Sequence, residues 1–185
     1  MSLLKLANVD GHYPVRLRER LHGNAPTRVT ILGNVYSLTL PKIALFCSAR
    51  CPGDVILAAH DQASHWRDDG RCIIGGFHSP VEKDCLQILL RGRQPIIICP
   101  ARGVERMRLP PALKGPLADG RLLFLSPFAS SDRRVTKELA VQRNRFVAAL
   151  ADEVVFAHIT PGGHLDELRR LVATWGVPHR CLPAT

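Results

Sequence analysis

From Pro41 onward the chain alternates short apolar runs with longer amphipathic stretches. Residues 43–46, 72–74, 95–99, 121–125 and 154–157 are apolar runs of strand length, and 177–182 can supply a sixth. Between them, residues 53–66 repeat Val55, Ala58, Ala59, Gln62 and Trp66 at helical spacing. Helices are likewise expected over residues 81–90, over a stretch ending near Leu150, and over 163–175. Strands that are apolar throughout are buried on both faces, and their alternation with helices builds a mostly parallel sheet. The pattern therefore predicts an α/β fold, a Rossmann-like, doubly wound sheet of about six strands with helices on both faces.

The first forty residues follow no such rule. Tyr13-Pro14 and Ala25-Pro26 punctuate them, Leu17 and Leu21 suggest a short helix, and residues 28–32 read as a short strand ending at Gly33-Asn34. Residues 1–40 are read as an N-terminal segment packing on the core, and 41–185 as the Rossmann-like domain. Residues 100–120 are irregular, broken by Pro110-Pro111 and Gly115-Pro116. The polar loop Ser130-Ser131-Asp132 is expected to cap the helix that ends near Leu150.

Composition narrows the chemistry. With 185 residues, 46% of them hydrophobic, the chain suits one domain with a substantial core. Lys plus Arg is 25 against 16 Asp plus Glu, a net charge of +9. Nearly all the excess is arginine, whose forked guanidinium pairs with phosphate in bidentate geometry. A phosphorylated partner is implied, either a nucleotide or a nucleic-acid strand. The six cysteines include no Cys-x-x-Cys, and Cys47 and Cys51 lack a downstream pair at zinc-finger spacing. They read as reduced thiols, so neither a metal nor a cofactor is expected, and a cytoplasmic location fits. No signal peptide opens the chain, and no apolar run has the length of a membrane span.

In a doubly wound sheet, ligands bind beyond the carboxyl ends of the strands. The turns at those ends carry Ser48 and Arg50, then Gly75-Gly76, then His158 to Gly163. Glycines there either make tight turns or bring backbone N–H groups close to an anion. Neither pair fits Gly-x-Gly-x-x-Gly, and the chain has no Walker phosphate loop, which disfavours an ordinary dinucleotide dehydrogenase. Arg143 shares a helix face with Leu139, Ala140, Phe146, Val147 and Leu150. It is either a snorkelling side chain or a partly buried guanidinium that needs an anion. Arg145, two residues on, points elsewhere in a regular helix, and Asn144 is a cap or a base-edge contact. His78 and His164 each follow a diglycine turn. Glu82, Asp166 and Glu167 lie near the same turns, to orient a ribose or to favour helix N-termini.

Arg143-Asn144-Arg145 followed by Val154-Val155 and Gly163-His164-Leu165 resembles the arginine-asparagine-arginine and serine-glycine-serine-leucine motifs of the DNA-processing protein A family, also called Smf. Ser48 with Arg50 is similar to that family's glycine-serine-arginine turn, and Gly75-Gly76 to Glu82 to its next glycine-rich stretch. Tyr13-Pro14, Leu17, Ala25-Pro26 and Leu32-Gly33-Asn34 look like its lead-in segment. The likeness covers roughly residues 12–182. The chain departs from it at Cys47, Gly75, Pro80, Glu82 and Gly162, and ends without the winged-helix domain many relatives carry.

The resemblance implies single-stranded DNA binding along a basic cleft, in DNA uptake or recombination, through Ser48, Arg50, Gly75, Gly76, Arg143, Asn144, Arg145, Gly162, Gly163 and His164. With 5% aromatic residues, base stacking is modest and sequence preference weak. No catalytic residue is assigned. Pro161-Gly162-Gly163 is also similar to the proline-glycine-glycine motif of the LOG phosphoribohydrolases in the wider group. The alternative is thus nucleotide hydrolysis, with Glu167 activating water or stabilising ribosyl charge and Arg143 holding phosphate, or a nucleotide sensor without turnover. A homodimer is compatible with each reading.

Overall fold

The computed structural model describes residues 3–132 and 134–183. In chain order the elements are β1 (Leu3–Ala7), α1 (Val15–Leu21), β2 (Arg28–Gly33), β3 (Lys42–Cys47), α2 (Gly53–Asp68), β4 (Cys72–Gly75), α3 (Pro80–Leu90), β5 (Ile96–Ile98), α4 (Pro111–Ala118), β6 (Leu122–Ser126), α5 (Lys137–Leu150), β7 (Glu153–His158), α6 (His164–Thr174) and β8 (His179–Cys181). The strands form one sheet in the order β1-β2-β6-β5-β4-β3-β7-β8. From β6 to β8 every pair is parallel, while β2 joins β6 and β1 joins β2 antiparallel. The chain winds outward from β3 to β6, then returns to place β7 and β8 on the other side of β3. The winding direction therefore reverses between β3 and β7, the place where such sheets open a crevice.

The parallel strands are apolar throughout because they are covered twice. Ala44, Phe46 and Phe156 face one layer, where Phe146, Val147 and Leu150 of α5 meet Leu168 and Val172 of α6. Ile43, Leu45 and Val155 face the other, with Val55, Ala59 and Trp66 of α2 and Val81 and Leu89 of α3. Phe46 and Phe156 stack across β3 and β7 with ring centroids 5.7 Å apart.

Eight strands replace the expected six or so. The strand over residues 28–32 joins the sheet through Thr30 opposite Ser126, and β1 adds an edge that the sequence did not announce. Only Leu6 of β1 is buried, while Leu3 and Leu4 are each 40% exposed, so the alternation that marks a half-covered strand is blurred. Helix α4 was likewise hidden behind Pro110-Pro111. Pro111 opens the helix, where a missing N–H costs nothing and a fixed φ helps. The cap of α5 also differs from expectation. Thr136 accepts a hydrogen bond from the Leu139 N–H at 3.2 Å, whereas Asp132 accepts from the Ala129 N–H and closes a separate turn. No helix among the described residues is long and apolar enough to cross a membrane.

At the amino end of the parallel strands, Asp152 ties α1 to the sheet. Its carboxylate accepts from the Lys42 N–H at 2.8 Å and from Arg16 at 2.5 Å. Arg20 adds bonds to the carbonyls of Ala149 and Ala151. Burial alone would raise the pKa of Asp152, but the Lys42 N–H and Arg16 overcome it and hold the carboxyl below its usual value. A depressed folded-state pKa stabilises the fold above the ordinary carboxylate range, and this contribution is lost as pH falls through the folded value. Asp152→Asn should therefore cost about 1.5–3 kcal/mol near neutral pH, the range for hydrogen bonds to a charged group. Urea titrations at neutral and acid pH should show the gap between variant and parent closing as the medium becomes acidic.

Candidate functional site

Three turns meet at the carboxyl end of the sheet, and side chains stitch them together. The Ser48 N–H donates to the carbonyl of His158 at 3.0 Å, and the Ser48 hydroxyl accepts from the Thr160 N–H at 2.9 Å. The turn after β3 is thus bonded to the turn after β7. Glu82 does the same between β3 and β4. Its buried carboxylate, 5% exposed, accepts from the Cys47 N–H at 2.9 Å and from the His78 N–H at 2.8 Å. Ser79 caps α3 by accepting from the Glu82 N–H. The Ser79-x-x-Glu82 spacing announces a capping box, in which the acid would turn back to the cap residue. Here it reaches a turn 35 residues away in sequence instead.

Arg143 lies within this frame and is only 4% exposed. Of the two readings open from its helical spacing, the structure gives the buried guanidinium and not the snorkelling one. Nη1 donates to the Cys99 carbonyl at 3.2 Å, and Nε donates to the Asn144 side-chain oxygen at 2.8 Å. Among the described residues no acceptor meets Nη2, and no carboxylate lies within ion-pair distance. Burial lowers the pKa of Arg143, and the nearby charge of Glu82 opposes that effect. A guanidinium stays protonated under such pressure. The group rests directly on Gly76, where a Cβ would stand 1.5 Å from Nη1 and 1.9 Å from Cζ. Gly76 is therefore a spacer for the arginine.

Arg143 looks into a hollow of about 440 Å³ at the point where the winding reverses. Six of the ten residues singled out from sequence line it: Ser48, Arg50, Arg143, Asn144, Gly163 and His164. The other four stand outside its wall. Gly75 packs against the Phe77 ring and Gly76 lies beneath Arg143. Gly162 sits in the turn with φ +69°, and Arg145 borders two neighbouring cavities.

The Gly162 and Gly163 amides face the protein and not a ligand. The Gly162 N–H donates to Asp166 at 3.3 Å, and the Gly163 N–H to the Thr160 carbonyl at 3.0 Å. Hydrogen bonds from Arg169 and from the Gly162 amide hold the Asp166 carboxyl below its usual value. The orphan donors at this corner are the first N–H groups of α6, those of His164 and Leu165. Glu167 has a side chain 58% exposed, lies 3.8 Å from the His164 ring and is not part of the wall. Glu82, which sequence offered as a ribose contact or a helix N-terminal acid, also lines the hollow, as does Thr160, which was not singled out. Among the described residues no group of three or more His, Cys, Asp or Glu could hold a metal ion. A hollow of about 480 Å³ at the opposite end, beside Asp152, contains a Lys42 ammonium already spent on the carbonyls of Leu38 and Leu40.

This arrangement offers an anion one buried cation, one exposed cation in Arg50, and a helix N-terminus, all at one rim. The sequence model for DNA recombination-mediator protein A matches residues 5–163, most of the chain. The chain belongs to this family. Among solved structures, it is similar to DNA processing protein A from Streptococcus pneumoniae, with a TM-score of 0.82 at 19% identity over 100% of this chain and 64% of that one. It thus spans under two thirds of that relative's length. It is also similar to DNA processing protein A from Helicobacter pylori, described by its single-stranded DNA binding mode, with a TM-score of 0.77 at 18% identity over 100% of this chain and 82% of that one. A molybdenum cofactor binding protein from Rippkaea orientalis follows, with a TM-score of 0.54 at 14% identity over 77% of this chain and 76% of that one. At these identities the likenesses establish the fold. No curated protein matches the chain in sequence.

If Gly76 is the seat of Arg143, the two positions must be energetically coupled. Gly76→Ala should destabilise the protein by about 1–3 kcal/mol through overpacking. The same change made in an Arg143→Ala background should cost much less. A double-mutant cycle by chemical denaturation measures the difference.

Proposed function

We propose that the hollow between the turns after β3 and β7 holds the sugar–phosphate backbone of single-stranded DNA. Arg143 carries this reading. It is a buried, charged group with a free donor edge and no carboxylate in contact, placed where doubly wound sheets bind their ligands. A phosphate oxygen would accept from its open edge in the geometry that guanidinium favours. Arg50 at the rim adds an exposed charge. The His164 and Leu165 amides supply donors at the positive end of α6. Family membership and the Helicobacter pylori relative's single-stranded DNA binding support the same ligand.

The division of labour between side chains is physical. Glu82 and Ser48 spend their hydrogen bonds on the protein and keep the turns in place. Arg50 and the remaining edge of Arg143 are left for the ligand. A rigid rim with side chains already oriented lowers the ordering cost of binding. The two arginines contact phosphate, so binding here depends on phosphate and on salt.

A second reading has one observation behind it. The volume of about 440 Å³ falls within the roughly 300–1,000 Å³ typical of small-molecule sites. A free nucleotide bound without turnover would use the same phosphate contacts. Nucleotides that raise the melting temperature as strongly as an oligonucleotide does would favour it.

Single-stranded DNA binding should weaken steeply with salt. Arg50→Ala should keep the fold and make the slope of log K against log salt shallower by about 0.7, the value for one neutralised phosphate of a single strand. Fluorescence anisotropy with a labelled oligonucleotide at several salt concentrations measures it. An unchanged slope would remove Arg50 from the interface, and no binding even at low salt would remove the reading itself.

A further inference from the structure

A second cavity, of about 330 Å³, opens on the other flank of α5, between that helix, the end of α1 and the loop after β6. Its apolar lining includes Pro26, Pro127 and Phe128. Two of these are pinned. The Pro26 carbonyl accepts from the buried Tyr13 hydroxyl at 2.7 Å, and the Phe128 N–H donates to the Ser126 hydroxyl, which itself donates to the Arg102 carbonyl. Around the mouth stand Asn24, Gln142 and Arg145. All three are exposed, and none spends its side chain on a partner among the described residues.

Shared wall residues lead from the cavity to the proposed phosphate-binding hollow. The hollow shares Asn144 and His164 with a narrow cleft between α5 and α6, and that cleft shares Arg145 with the second cavity. A ligand that continues past His164 would cross the solvent face of α5 at Arg145 and reach the apolar walls. A polyanion with a flat apolar appendage at each unit fits that path. Phosphates need cations along the crossing, and an unstacked base needs apolar walls with hydrogen-bonding groups at their edge. Primary amides offer a donor and an acceptor side by side, the pairing that Asn and Gln make with adenine, and a guanidinium makes the equivalent pair with guanine.

We infer that this cavity is a base-docking site that takes an unstacked purine from the strand whose backbone occupies the hollow. The inference rests on the single-strand reading above, and it adds a base preference that the phosphate contacts alone do not give. Arg145 becomes the crossing point, touching the strand between its anchored phosphate and its docked base.

The test measures binding of labelled oligo-dA, oligo-dT and an all-abasic oligonucleotide of equal length at low salt, with free dAMP as a fourth ligand. Wild-type protein should bind oligo-dA about tenfold more tightly than the abasic strand, the effect of one docked base, with oligo-dT well below oligo-dA. The exposed pair N24A/Q142A should bring oligo-dA down to the abasic level and leave abasic binding unchanged. Equal binding of oligo-dA and the abasic strand, with both still bound, would refute the base site and leave the phosphate site standing. A preference for oligo-dA that survives N24A/Q142A would place the base elsewhere, and oligo-dT bound as tightly as oligo-dA would exclude a purine site. If dAMP alone binds as tightly as the oligonucleotide, the occupant is a free nucleotide and the strand path is wrong. No binding by any strand would remove both proposals.

Discussion

Arg143 holds a charge inside the protein without a carboxylate against it, and the carboxyl edge of the sheet is arranged around that constraint. Removing a guanidinium from water costs several kcal/mol unless hydrogen bonds and opposite charge offset it. The chain offsets part of the cost with the Cys99 carbonyl, the Asn144 side chain and the charge of Glu82 at a distance. It leaves the rest open toward a hollow. A purely structural arginine would be expected to have its donors filled; this one keeps an edge free where a ligand can reach it.

The same constraint explains neighbouring residues. Gly76 gives up its side chain so that the guanidinium can lie against the backbone. Glu82 is close enough to lower the cost of the buried charge, yet its oxygens are taken by the Cys47 and His78 amides. It cannot swing across to neutralise Arg143 without releasing the buried Cys47 N–H, which is costly to leave unpaired, and the partly buried His78 N–H. A carboxylate fixed by the backbone thus keeps an arginine available to an outside anion. Ser48 performs the matching task on the other side, tying β3 to β7 across the place where the winding reverses.

The sequence carried much of this, and the parts it concealed share a cause. The apolar runs of β3, β4, β5, β6 and β7 were plain because those strands are covered on both faces. The position of Arg143 on an apolar stripe was plain from helical spacing. β1 was not, since its leucines are divided between a buried Leu6 and half-exposed Leu3 and Leu4 at a sheet edge. α4 was not, because a proline that opens a helix looks in sequence like one that ends it. At the site, residue types were legible and hydrogen-bond partners were not. Gly162 and Gly163 look like an anion cradle, yet their amides serve Asp166 and Thr160. Glu82 looks like a helix-cap acid, yet it bonds a turn far away in the chain. Those choices are made by tertiary contacts that no local pattern encodes.

The most direct test observes the Arg143 side chain while a strand binds. In a ¹⁵N-labelled sample titrated with single-stranded oligonucleotide, the Arg143 Nε–Hε resonance should move together with the backbone amides of His164 and Leu165, with one shared saturation point. The amides near Asp152, at the far end of the sheet, should stay still. An Arg143 signal that remains in place at saturation, while resonances elsewhere shift, would contradict the claim that this buried charge waits for a phosphate.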